Sequence, residues 1–190
     1  LKFGFSKPSS IELPYESSGF VPSPLLRKIN KFRNWYDGDT ANLSIGQGDF
    51  LATPLQVARM MAVFANSGSL VSPYIVKEIG AKGVWVSHEK SKRVNISNSA
   101  MDCIRRGLRG AVTEEGGTAH ILSELTVPCA GKTGTAQVSG AESHAWFAGF
   151  FPYENPKYVI CVFLEHGGPG FNSCVITKRI IEAMLAEGLI

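Results

Sequence analysis

Several features that would assign a chain to a specialised class are missing here. The most apolar stretch, Tyr158–Leu164, is far shorter than the roughly 20 residues that cross a bilayer, so any membrane anchor is expected outside this sequence. No basic-then-apolar leader opens the chain, and it begins on Leu1 rather than Met, so it is read as a piece of a longer protein. The formal charge of +3 comes from scattered Lys and Arg, as in Lys90-Ser91-Lys92-Arg93, and without a long basic block no nucleic-acid partner is expected. The cysteines Cys103, Cys129, Cys161 and Cys174 form no C-x-x-C pair and have no His at ligand spacing. They are read as small buried hydrophobes, with no metal and no cofactor expected. Neither a G-x-S-x-G elbow nor an H-E-x-x-H helix is found. What remains, 44% apolar and 18% charged residues, is the composition of one globular domain or a large part of one.

The chain then divides by pattern. Residues 1–52, rich in Ser, Pro, Gly and Asn with no sustained period, are expected to be an irregular segment draped on a body. Thr53-Pro54-Leu55-Gln56 reads as a capping box with Pro at the first helical position. The helix it starts, ending near Asn66, is apolar nearly all round and is expected in the core. Residues 74–79 and 83–86 resemble two strands of a small ribbon. Ser99 is expected to cap a second helix carrying Met101, Ile104, Leu108 and Val112 as one apolar stripe, stopped by Gly116-Gly117, so that 53–117 holds helices and ribbon. Residues 130–138, 144–151 and 158–165 read as three sheet strands. The last two are joined by a Pro- and Asn-containing turn, which implies an antiparallel arrangement. A final helix over 173–188 places Ile176, Ile180, Met184 and Leu185 against that sheet. The order of elements is α+β.

The most informative residues are Gly131-Lys132-Thr133-Gly134-Thr135-Ala136. A phosphate-binding P-loop would need Gly where Thr126 stands and a helix where a strand continues, so that reading fails. The alternative is the K-T-G element of penicillin-binding proteins and β-lactamases. On an edge strand, Lys132 can hold a carboxylate and Thr133 can add a hydroxyl hydrogen bond. Gly134 leaves nothing between the strand and a substrate that joins the sheet as an extra strand.

Three common residues recur by chance, and it is the context that decides. The run Gly38-Asp39-Thr40-Ala41-Asn42-Leu43-Ser44-Ile45-Gly46-Gln47-Gly48 precedes Ala52-Thr53-Pro54-Leu55-Gln56-Val57-Ala58 and Ala65-Asn66-Ser67-Gly68. These, with the K-T-G and His144-Ala145-Trp146-Phe147-Ala148-Gly149-Phe150, resemble class B penicillin-binding proteins of the elongation type, penicillin-binding protein 2, over nearly the whole chain. The resemblance implies a penicillin-binding/β-lactamase-like serine acyltransferase fold, an antiparallel sheet flanked by helices. Residues 1–190 would be the C-terminal portion of its transpeptidase domain and supply sheet strands three to five and the closing helix.

The same resemblance implies a peptidoglycan D,D-transpeptidase of cell elongation. It would cross-link stem peptides, be a target of β-lactam antibiotics, and work at the inner membrane with its catalytic domain facing the periplasm or cell exterior, beside a glycan-polymerising membrane partner. Lys132, Thr133 and Gly134 would bind the donor, and Thr135 would offer its backbone N–H to the oxyanion hole. The S-x-x-K nucleophile and S-x-N elements of the family precede the segment that starts here, so no nucleophile is expected in this chain, which is expected to be inactive alone. Ser87-His88-Glu89-Lys90 matches S-x-x-K but follows a ribbon strand among polar residues. Tyr153-Glu154-Asn155 matches the Y-x-N variant but falls in a strand-joining turn, in the wrong chain order. Asp39, His144 and Trp146 belong to the matching motifs and are open to either a site role or a fold-shaping one, packing being favoured over substrate contact for Trp146, and they are left out of the candidate site. Two other readings are weighed: a β-lactamase or carboxypeptidase on the same fold, against which the Gly38–Gly48 motif argues, and a non-catalytic binding module that has lost its nucleophile.

Overall fold

The computed structural model describes residues 2–31, 34–80, 84–85 and 91–190. Its centre is an antiparallel sheet in the order β5-β6-β7, formed by β5 (Ala130–Val138), β6 (Ala141–Phe151) and β7 (Tyr158–Leu164). Lys132 faces Ala148 and Thr135 faces Ala145 across the first pair. β6 starts three residues before the expected position because Ser139-Gly140, with Gly140 at φ +75°, closes a two-residue hairpin in which Val138 pairs with Ala141.

The period-2 alternation of β6 sorts its side chains onto two faces. Phe147 and Phe151 pack with Cys174 and Ile181 of α5 (Phe171–Ala186) and with Leu122 of a short 3-10 helix, His120–Glu124. Ala148 and Phe150 pack on the opposite side with Met61 and Phe64 of α3 (Pro54–Ala65). The sheet is thus enclosed between helices in an α+β arrangement.

The predicted capping box of α3 is formed: Gln56 N donates to Thr53 Oγ1 at 3.1 Å and Thr53 N to Gln56 Oε1 at 3.0 Å. The helix also buries two polar residues, Gln56 and Arg59. Gln56 Nε2 donates to Lys7 O and Ser18 O, which binds the N-terminal segment to α3, and Arg59 Nε donates to Val71 O, which fastens the stretch that follows the helix.

The expectation of an irregular segment over 1–52 needs correction, because it contains two eight-residue helices, α1 (Pro24–Lys31) and α2 (Asp37–Ser44). Arg27 and Asp39 form an ion pair that ties the two together. The second long helix, α4 (Asn98–Thr113), is capped by Ser97 and not by Ser99: Ser97 holds extended angles and its Oγ accepts from Ala100 N at 3.3 Å. Its inner stripe is Met101, Arg105, Leu108 and Val112, at spacings of four, three and four residues. Ile104 is exposed instead, while the Arg105 guanidinium reaches inward to Phe64 O, Ala65 O and Tyr153 O.

Two small pairs complete the fold. β1 (Ser69–Leu70) pairs with β4 (Lys92–Arg93), and β2 (Glu78–Ile79) pairs with β3 (Val84–Trp85). The ribbon strand expected over 74–79 is shortened to its last two residues; Gly83 and Val86, the ends of its partner, lie outside the described residues, as does Ser87-His88-Glu89-Lys90. Among the cysteines, Cys129 and Cys174 are buried and Cys161 is partly buried, but Cys103 is exposed on α4, contrary to the expectation for all four.

Candidate active site

The K-T-G residues occupy β5, an edge strand of the described sheet. Lys132 Nζ donates to Thr118 Oγ1, Thr133 Oγ1 and Thr133 O, each at 3.2 Å, and Thr133 Oγ1 donates to Thr118 Oγ1 at 2.7 Å. One ammonium and two hydroxyls therefore meet at a partly open strand edge. Such a set suits a carboxylate, because an ammonium carries three donors and charge-assisted bonds are about twice as strong as neutral ones. Thr118 belongs to no motif; it arrives from the turn between α4 and the 3-10 helix.

Thr135 is held from two directions. Its Oγ1 accepts from Gly170 N, just ahead of α5, at 3.0 Å. A Cβ at Gly170 would lie 2.6 Å from Gly134 O and 3.1 Å from Thr133 Cβ, so only glycine lets the start of α5 approach β5 this closely. On the outer edge, Thr135 O accepts from Gln47 Nε2 at 2.9 Å, and Gln137 N donates to Gln47 Oε1 at 3.3 Å. The N–H and C=O of one strand residue point to the same side, so Thr135 N–H faces that outer edge as well.

Beside this edge lies a cleft of about 340 Å³ lined by Lys132, Gly134, Trp146, Met60, Phe50 and Gln47. Trp146 stands opposite Gly134, where a Cβ would come within 3.3 Å of the Trp146 Cβ, and its ring packs on Phe163 at 4.4 Å. It is thus both a packing residue and part of the cleft wall. His144 has a structural part: its Nδ1 accepts from His166 N at 3.0 Å, which fastens the connection leading from β7 to Gly170. Asp39 accepts from Tyr36 N at 2.9 Å and pairs with Arg27, holding the start of α2 ahead of the loop that carries Gln47. Tyr153 lies in the β6–β7 turn, where its ring stacks on Phe150 at 6.2 Å and its backbone is bonded to Pro128 O and Arg105.

The site is thus an edge strand bearing K-T-G, with a side-chain cluster suited to a carboxylate and a backbone N–H turned outward. Residues 1–186 match the penicillin binding protein transpeptidase domain, and the chain belongs to that family. Its similarities include proteins and structures of the penicillin-binding protein 2 type, which bears out the class B, penicillin-binding protein 2 reading. The peptidoglycan D,D-transpeptidase MrdA of Haemophilus influenzae is 30% identical over 207 residues, covering 98% of this chain and 32% of that protein. The structure of penicillin-binding protein 2 from Helicobacter pylori in complex with MreC has a TM-score of 0.87 and 31% identity, covering all of this chain and 35% of that one. Penicillin-binding protein 2 of Pseudomonas aeruginosa, solved in complex with WCK 5153, has the same TM-score and identity, covering 97% of this chain and 42% of that one. The chain therefore spans about a third of the length of the curated relatives it matches.

Proposed function

We propose that the protein to which this chain belongs is a peptidoglycan D,D-transpeptidase that cross-links stem peptides during cell elongation, with this chain supplying the donor-binding side of the site. A single observation carries the reading. The Lys132–Thr133–Thr118 cluster sits on the open edge of β5, beside a backbone N–H that faces the same edge. The similarity to a protein named for this activity supports it.

The reaction runs in two steps. A serine supplied by the preceding part of the protein attacks the carbonyl carbon between the last two D-alanines of a stem peptide. The Oγ–C bond forms, the C–N bond breaks, and D-alanine leaves carrying the proton released by the hydroxyl. An amine of a neighbouring stem then attacks the ester, its displaced proton returns to the serine oxygen, and the new peptide bond is the cross-link. Lys132 and Thr133 hold the donor's terminal carboxylate, which fixes the peptide along β5. Gly134 lets its backbone lie against the strand. Thr135 N–H donates to the carbonyl oxygen as it becomes negative, a contribution of roughly 100- to 1000-fold in rate for one such donor. β-Lactams take the donor's place and acylate the same serine.

The catalytic domain is proposed to face the periplasm or cell exterior, anchored in the inner membrane by a segment outside this chain. The partner class is a membrane-bound glycan polymerase; the relative solved with MreC shows that penicillin-binding protein 2 from another species enters assemblies. Labelling the full-length protein with a fluorescent penicillin, followed by mass mapping, is expected to place the acyl group on a serine upstream of this chain. Replacing Lys132 with Ala removes a charge-assisted contact and should slow acylation by about 10- to 100-fold. An unchanged rate would show that the K-T-G lysine does not hold the donor. A folded full-length protein that takes no label would favour the non-catalytic binding module.

A further inference from the structure

We propose that Gln47 is a specificity-determining residue of this site: its carboxamide occupies the strand edge where the acyl donor's own N–H binds, so a donor that carries one, the stem peptide included, must displace it, whereas a donor without one need not. The proposal rests on the transpeptidase reading above. Gln47 lies about 90 residues from its partners in sequence, so its contact with β5 is a tertiary one, made by the loop that follows α2. That loop is itself fixed. Gln47 N donates to Asn42 O at 2.9 Å, and the flanking Gly46 and Gly48 take φ +75° and +76°, which side chains rarely adopt.

The two bonds of the carboxamide run to the carbonyl of residue 135 and the N–H of residue 137. This is the pairing that one residue of a neighbouring parallel strand would make, so the side chain imitates a peptide group on an otherwise open edge. An acyl donor adding as an antiparallel strand has a fixed requirement. The residue whose carbonyl accepts from Thr135 N–H must donate its own N–H to Thr135 O, because paired residues in an antiparallel ladder exchange both bonds. Thr135 O is the atom that Gln47 Nε2 already holds. Gln47 also lines the cleft with Lys132 and Gly134, so a donor bound there meets it directly.

A donor with an N–H on the carbon next to the reacting carbonyl must therefore displace the carboxamide. A donor without one leaves it in place and finds Thr135 O already satisfied. Stem peptides and acylamino penicillins are of the first kind; carbapenems, which carry a hydroxyethyl group at that carbon, are of the second.

The test uses the full-length protein and the second-order acylation rates of benzylpenicillin and a carbapenem, for wild type, Gln47→Ala and Gln47→Glu. Glutamate keeps an acceptor for Gln137 N–H but cannot donate to Thr135 O, so it removes only the competing bond. Any general effect of its charge falls on both anionic drugs and cancels in their ratio. The penicillin-to-carbapenem rate ratio is expected to rise about 3- to 10-fold in both variants, the worth of one ordinary neutral hydrogen bond. A ratio unchanged or lowered in Gln47→Glu would overturn the proposal, as would an equal loss with both drugs, which would mean that Gln47 only braces β5. If wild type is acylated by neither compound, the transpeptidase reading itself fails and the proposal falls with it; if it is acylated by both and the ratio does not move, only the proposal fails.

Discussion

Replacing Gln56 with Leu should remove the main polar anchor between α3 and the N-terminal segment, and the structure fixes how much that costs. Gln56 has no exposed surface. Its carboxamide satisfies three backbone groups: Thr53 N at 3.0 Å, Lys7 O at 3.0 Å and Ser18 O at 2.8 Å. Each buried group left without a partner costs about 1–3 kcal/mol. Lys7 and Ser18 lie near the surface, so water relieves part of that for the two carbonyls, and the low end applies to them. Leucine fills nearly the same volume and returns some apolar burial, leaving a net loss of about 2–4 kcal/mol. For a domain of this size that lowers the melting temperature by about 5–12 °C. The damage should be local as well as global. The bridge of Phe20 and Leu51, bonded at 2.7 and 2.8 Å, closes over Gln56, so its amides should lose hydrogen-exchange protection first. Glutamate at the same position separates polarity from shape: it is isosteric and keeps the acceptor, but it has lost both donors and turns a charge toward two carbonyls. Gln56→Glu should therefore destabilise at least as much as Gln56→Leu. A shift below about 2 °C in either variant, or unaltered exchange at Phe20 and Leu51, would refute the reasoning.

What the sequence revealed of this fold, and what it concealed, follows from the range of the interactions. The capping box at Thr53 and Gln56 is a bond between neighbours in the chain, and it is formed where the pattern placed it. The strands of the sheet were legible from alternation and from the Pro152–Lys157 turn. The start of β6 was missed because the Ser-Gly hairpin signal at 139–140 is only two residues long. α2 was hidden because nothing in it is buried and its residues, Asp-Gly-Asp-Thr-Ala-Asn-Leu-Ser, carry no apolar stripe; it is held by the Arg27–Asp39 ion pair, which no local period announces. α1 did carry a signal, Ser23-Pro24, whose serine Oγ accepts from Leu26 N at 3.2 Å. On α4 the aliphatic stripe misled because a half-buried arginine, satisfied by three carbonyls, took the place assigned to Ile104. The candidate site divides the same way. Lys132, Thr133, Gly134 and Thr135 are contiguous and stood out. Thr118, Gly170 and Gln47 reach β5 from distant parts of the chain, and of these only Gln47, set between two glycines in a motif, had any sequence signal.

Three further outcomes are expected. Gly131→Ala would place a Cβ 2.4 Å from Phe147 Cζ and 2.6 Å from Ala148 O, so β5 and β6 must separate and stability should fall by about 2–3 kcal/mol in urea unfolding; a loss below 1 kcal/mol would show that the strand pair gives way without cost. Burial pushes the thiols of Cys129, Cys161 and Cys174 up to about 11, 12 and 12 respectively, whereas Cys103 is exposed. Iodoacetamide at pH 8 should accordingly alkylate Cys103 alone in the folded protein, as mass mapping would reveal, and rapid labelling of Cys174 would contradict the packing of α5. The third concerns acid. Burial raises the Glu16 carboxyl pKa, but hydrogen bonds from Ser9 and Ser10, the backbone contacts at 2.7 and 3.1 Å, together with nearby Arg59, outweigh it and hold the carboxyl below its ordinary value. A carboxyl lowered on folding adds stability above its unfolded value of 4.5, and that stability is lost as pH falls through the lower folded value. Gln at position 16 keeps an acceptor without the charge, so Glu16→Gln should be less stable than wild type at pH 7 and approach it as the carboxylate titrates toward pH 3. If the gap between the two proteins stays constant from pH 7 to pH 3, the charge of Glu16 is not what binds the 9–16 turn to the body.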